Sequence, residues 1–185
     1  MPPTPWTTLS SRYIVRDRWM TLRADCCVTA GGVILDPYYV QEPADWVQVV
    51  AFDTEDRILL TRQYRHGAGI ISTEIPCGVM EQGESAAQAA ARELLEETGC
   101  AAENLEGLAV MSPNPARYSN RIHSFIATHT RPIQQQQLDE TEEIDFEFLS
   151  IPAVLELIDS GSFAQALQVG TLFLALRERG LDWKR

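Results

Sequence analysis

The segment from Cys77 to Gly99 constrains the fold most. Gly78 and Gly83 interrupt regular structure, the stretch Glu84 to Thr98 is rich in Ala, Glu and Leu, and Gly99 ends it. That composition predicts a helix over Glu84–Thr98, stopped where glycine takes a left-handed conformation that other residues resist. On it Glu93, Glu96 and Glu97 fall at i, i+3 and i+4, so three carboxylates share one face within about 6 Å of one another. Arg92 is the only base beside them. An ordinary solvated face intersperses Lys to relieve such repulsion. Carboxylates crowded without that relief suit a hard divalent cation, because Mg²⁺ prefers oxygen ligands and keeps places for water and phosphate.

Around this helix the chain alternates strands and helices. Runs at Thr21–Val28 and Val33–Val40 flank Ala30-Gly31-Gly32 and predict an antiparallel hairpin. A second pair, Trp46–Phe52 and Arg57–Gln63, is joined by the polar turn Asp53-Thr54-Glu55-Asp56 and belongs in the central sheet. Gly67–Pro76 reads as loop and short strand. Strands follow at Ala109–Met111, Arg121–Thr128 and Ile144–Leu149, and amphipathic helices at Ile151–Ile158 and Ser162–Arg179. The fold class is α/β. Gln134–Gln137 reads as a connecting loop with no function of its own.

The 185 residues, 45% of them apolar, are enough for one well-buried core. A formal charge of −11 argues against nucleic acid and membrane surfaces as partners, and requires cations to mediate any anionic substrate. Cys26, Cys27, Cys77 and Cys100 show no paired metal spacing and read as reduced packing residues. With no leader-like start and no long apolar run, a cytoplasmic protein is expected.

The pattern Gly78, five residues, Glu84, seven residues, Arg92-Glu93-Leu94, one residue, Glu96-Glu97, one residue, Gly99 resembles the complete box of the Nudix hydrolases. Agreement by chance is on the order of 10⁻⁸ per window. Cys100 departs from the aliphatic residue usual at the last position of the box. The resemblance implies a Nudix fold, an α/β/α sandwich around a mixed sheet, and Mg²⁺ as cofactor, with Mn²⁺ the other candidate. It implies Glu93, Glu96, Glu97, Glu142 and the Cys77 carbonyl as metal ligands. Arg92 would orient the glutamates, and Glu84 would pair with it to anchor the loop to the helix.

Arg62-Gln63-Tyr64-Arg65-His66 and Glu74-Ile75-Pro76-Cys77-Gly78 are similar to the strand and loop of the ADP-ribose pyrophosphatase and nucleoside diphosphate sugar hydrolase branch. This resemblance nominates Glu140 as general base, in the acidic loop Leu138–Ile144. The substrate-binding set is Arg65, by a bidentate hold on phosphate or else in a salt bridge beside its strand, with Trp46 and Arg117. Arg117 lies in Asn114–Asn120, which replaces the Ser-Pro-Gly loop of standard ADP-ribose enzymes and makes a nucleotide sugar the live alternative. The implied organisation is a strand and hairpin region over 1–45, which dimerises, and a Nudix domain over 46–185. The reaction implied is Mg²⁺-dependent hydrolysis of a nucleoside diphosphate linked to a second group, giving a nucleoside monophosphate and a sugar phosphate. A dinucleotide or nucleoside triphosphate substrate, and a non-catalytic nucleotide sensor, are the other readings.

Overall fold

The computed structural model describes residues 2–181. They form two compact units, one of residues up to Ala44 together with Ser112–Arg121, the other of Asp45–Met111 and the residues from Ile122 onward.

The first unit is a three-stranded antiparallel sheet in the order β1-β2-β3, made of β1 (Thr7–Arg16), β2 (Thr21–Val28) and β3 (Ile34–Gln41). Gly32, at φ 82°, closes the β2–β3 hairpin. The strand–glycine–strand pattern predicts that hairpin, whereas the Pro-, Thr- and Ser-rich start carries no strand signal. Thr7–Arg16 is nevertheless extended, because β2 offers it an antiparallel edge from Val28 to Thr21, paired with two register shifts. Strand preference depends on the neighbour more than on the residue. Asp17 shapes the connection, its carboxylate accepting from the Trp19 and Met20 N–H groups at 2.7 and 2.8 Å. The loop Ser112–Arg121 is tied to β3 by Gln41 N–H donating to the Arg117 carbonyl at 2.8 Å and by the Tyr38 hydroxyl donating to that of Ala116.

In the second unit, β4 (Trp46–Ala51) lies between β7 (Cys77–Val79) and β10 (Ile122–Thr128), and β9 (Asn104–Met111) flanks β10. The β4–β10 pair is parallel and the other two are antiparallel, so the sheet is mixed. A second, antiparallel sheet has the order β12-β5-β6, from β12 (Ile144–Leu149), β5 (Ile58–Arg65) and β6 (Ile70–Glu74). A short pair joins β8 (Cys100–Ala101) to β11 (Arg131–Pro132).

Period-2 alternation distributes the apolar side chains of these strands between two helical layers. Val47, Val49 and Ala51 of β4, with Leu59 of β5 and Phe125 and Ala127 of β10, pack with Ala89, Ala90 and Leu94 of α1 (Ala86–Thr98). The intervening Val50 and Phe52, with Ile58, Leu60 and Ile126, pack with α2 (Ile151–Asp159) and α3 (Ala166–Glu178) through Val154, Leu172, Ala175 and Leu176. Helices therefore cover both faces, the α/β/α arrangement expected. α3 begins at Ala166 rather than Ser162 because the preceding residues close α2: Phe163 N–H donates to Leu157, and Phe163 is buried in the core. Among the described residues no helix is long and apolar enough to cross a membrane, and all four cysteines are free thiols.

Candidate active site

The carboxylate helix is set at both ends by local chemistry. Ser85 caps it, its hydroxyl accepting from Gln88 N–H at 3.3 Å while the Gln88 side chain accepts from Ser85 N–H at 2.9 Å. Glu84, expected inside the helix, instead stands before the cap and accepts from Glu81 N–H. At the far end Gly99 takes φ 66° and donates to the Leu95 carbonyl.

Gly78 is a glycine because of Glu93. A Cβ on Gly78 would lie 2.0 Å from the Glu93 carboxyl carbon, so the absent side chain is the space in which that carboxylate rests against the β7 backbone. Arg92 ties the same loop to the helix. Its Nε and Nη2 hold the two Glu84 oxygens at 3.2 and 2.7 Å, Nη1 reaches Glu93 at 2.8 Å and Glu96 at 3.0 Å, and Nη2 also donates to the Val79 carbonyl. The Glu84–Arg92 pair expected from the box is thus present. It holds the Glu84 carboxyl below its ordinary range and keeps the guanidinium charged.

One arginine cannot balance this cluster. Burial pushes Glu93 above the ordinary carboxylate range; Arg92 opposes that, while Glu96 and Glu142 add to it. Glu97, only 4% exposed, is pushed well up by burial against the counter-effect of the Cys77 N–H, which donates to its carboxylate at 3.0 Å; Glu93 and Glu142 push it further. Buried Glu97, partly buried Glu93 and a third carboxylate from the acidic loop therefore destabilise one another's charges. Behind Cys77, buried Glu74 accepts from Arg65 Nε at 2.8 Å and Nη2 at 2.6 Å. Despite burial, that guanidinium keeps Glu74 below the ordinary range.

As placed, among the described residues no group of three or more His, Cys, Asp or Glu side chains converges closely enough to hold a metal ion. Glu93 and Glu96 are turned to Arg92, and Glu97 to Cys77. The donor set nonetheless fits a hard divalent cation: its donors are all oxygen, its carboxylates repel one another, and Glu93 rests in the space that the absent Gly78 side chain leaves beside Cys77.

Residues 43–166 match the family model described as the NUDIX domain, and residues 6–41 match that of the nucleoside diphosphate sugar hydrolase N-terminal domain. The chain belongs to the Nudix family. It is 30% identical over 152 residues to the methanol dehydrogenase activator of Bacillus methanolicus, covering 82% of each chain. It is 30% identical over 115 residues, 62% of each, to the ADP-ribose pyrophosphatase of Bacillus subtilis. A crystal structure of an ADP compounds hydrolase superposes with a TM-score of 0.86 at 26% identity, covering 97% of this chain and 98% of that one. The protein is accordingly a Nudix pyrophosphatase, of a family that generally uses divalent metal ions.

In the Nudix hydrolase Arg92 contacts Glu93 and Glu96, the Cys77 N–H contacts Glu97, and Glu142 is close enough to act on Glu93 and Glu97 electrostatically. Glu142 also accepts from Asp139 N–H at 3.1 Å, and Glu140 is exposed on the turn between them. The Arg65 fork is committed to Glu74, the salt-bridge alternative raised for it. Trp46 is half buried at the head of β4, paired through its backbone with Val79 and Ile122. Arg117 lies in the first unit, lining a hollow there with Leu22, Tyr39, Gln41 and Tyr118. Neither Glu74 nor Gln136 carries a functional signal of its own in the sequence. Glu74 stands in the Glu74–Gly78 motif, but its burial follows only from packing. Gln136 was hidden in the glutamine run.

Proposed function

We propose that this enzyme hydrolyses the diphosphate bridge of a nucleoside diphosphate linked to a second group, ADP-ribose or a nucleotide sugar, giving a nucleoside monophosphate and a sugar phosphate. The observation that carries the reading is the pair of buried Glu97 and partly buried Glu93 at Cys77 and Gly78, whose charge Arg92 alone cannot neutralise. Glu93, Glu96, Glu97, Glu142 and the Cys77 carbonyl would hold Mg²⁺, with Mn²⁺ as a substitute. When bound, the cation would offset phosphate charge and acidify a coordinated water.

The chain's own groups do the rest. Arg92 holds Glu93 and Glu96 in a common orientation, and the Cys77 N–H does the same for Glu97. Glu140, on its exposed turn, takes the proton from the attacking water. Arg65 keeps Nη1 for a phosphate oxygen while Nε and Nη2 stay on Glu74. Trp46 stacks on the base. The exposed Trp6, Leu9, Tyr13 and Ile14 on and beside β1 support assembly of 1–45 into a homodimer, which a monomeric mass in sedimentation would refute.

The deciding assay is release of nucleoside monophosphate from ADP-ribose and from UDP-, GDP- and ADP-sugars, with Mg²⁺ and with chelator. Turnover with at least one substrate, abolished by chelator, is expected; no turnover across the panel would favour a nucleotide sensor. Glu97→Gln keeps an acceptor for Cys77 N–H but removes a charge, so turnover should fall by several orders of magnitude while the fold persists. Near-wild-type turnover in that variant would refute the assignment.

A further inference from the structure

The glutamine run Gln134–Gln137 carries more than a connection. α1 leaves its last carbonyls without helical partners, at the negative end of the helix dipole. Gly99 N–H takes the Leu95 carbonyl, and the run supplies the next two: Gln137 N–H donates to Glu96, and the Gln136 side-chain amide donates to Glu97 at 2.5 Å. The same Gln136 Nε2 donates to the Ile144 carbonyl at 2.9 Å. One amide thereby spends both hydrogens, one on the helix that bears the carboxylates and one on the first residue of β12. Between Gln136 and Ile144 lies the acidic loop with Glu140 and Glu142, cross-tied internally by Asp139 and Glu142 at 3.0 and 3.1 Å.

We infer that Gln136 is a positioning residue for the reaction: it clasps the two ends of the acidic loop to each other and to α1, and so sets where Glu140 and Glu142 stand relative to Glu93 and Glu97. The inference rests on the role proposed for that loop. Gln134, Gln135 and Gln137 are chemically identical neighbours, yet only Gln136 makes this side-chain clasp among the hydrogen bonds of the described residues. The function is in the donation, not in glutamine content.

The test compares Gln136→Met, Gln136→Glu and Gln136→Lys with wild type, using Gln135→Ala as the control. Each is measured by steady-state kinetics on the best substrate of the panel and, without substrate, by hydrogen–deuterium exchange over residues 138–143. Gln136→Met should lower kcat by about 10- to 100-fold, the cost of small misplacement, with KM within about twofold, and should speed exchange across the loop. Gln136→Lys retains N–H donors and should recover most of kcat; Gln136→Glu matches the shape but donates nothing and should not. Gln135→Ala should match wild type. Wild-type kcat or exchange in Gln136→Met would overturn the inference, as would a Glu variant that works where Lys fails. If wild type turns over nothing, the functional reading falls, while the exchange comparison still decides whether Gln136 anchors the loop.

Discussion

Arg92 and Gly78 show how single residues are fixed by the cluster they serve. Arg92 makes contacts that a lysine could not reproduce together, because only a planar fork can hold the two Glu84 oxygens while a further nitrogen reaches Glu93 and Glu96. Gly78 matters for what it lacks, since its site is filled by the Glu93 carboxylate. Gly78→Ala should therefore displace Glu93, lower kcat/KM by roughly 100-fold, and weaken Mn²⁺ binding measured by titration calorimetry. Unchanged affinity would show that Glu93 is not a ligand. Both residues were legible as box positions. The reasons, a collision and an arginine shared by three carboxylates and the Val79 carbonyl, were not, because they exist only once β7 and α1 are packed.

The carboxylate helix is the element most fully written in the sequence. Its composition, its stop at Gly99 and the spacing of its glutamates are local, and local rules decide them. Its start was read too early, since Glu84 is drawn off by Arg92 and Ser85 takes the cap. Ser85→Ala should cost about 1 kcal/mol in urea unfolding, with KM for substrate unchanged, because the cap lies at the end remote from Glu97. A loss below a few tenths of a kcal/mol would show that the capping box contributes little. β1 is the opposite case: Thr7–Arg16 has little pattern of its own and becomes a strand only because β2 lies beside it.

Across the whole molecule, opposed carboxylates predict the pH dependence of stability. Burial raises the folded-state pKa of Glu97, and of Glu93 with Arg92 opposing, so their contribution is complete below the usual 4.5 and is lost as pH rises through the raised values. Glu74 and Asp53 are held low, against burial, by Arg65 and by the Arg57 N–H and guanidinium. Their contribution is complete above the usual 4.5 and 3.8, and is lost as pH falls through the lowered values. Thermal melts in chelator should accordingly rise as pH drops from neutrality and turn down below about 4.5. Mg²⁺ at neutral pH, or Glu97→Gln, should flatten the rise and leave the acid fall. A curve with no rise on the acid side would mean that the buried pair is not strained as described.

The amino-acid order by itself determined the family box, the α/β class, most strand positions and the spacing that puts Glu93, Glu96 and Glu97 on one helix face, because each follows from a local pattern. Tertiary structure alone decided that Arg65 turns to Glu74, that Cys77 N–H meets Glu97, and that Gln136, not its three neighbours, clasps the acidic loop. Those choices join residues from 8 to 39 positions apart. Hydrogen-bond partners at such separations follow from how strands and helices pack, not from any periodicity a linear reading can detect.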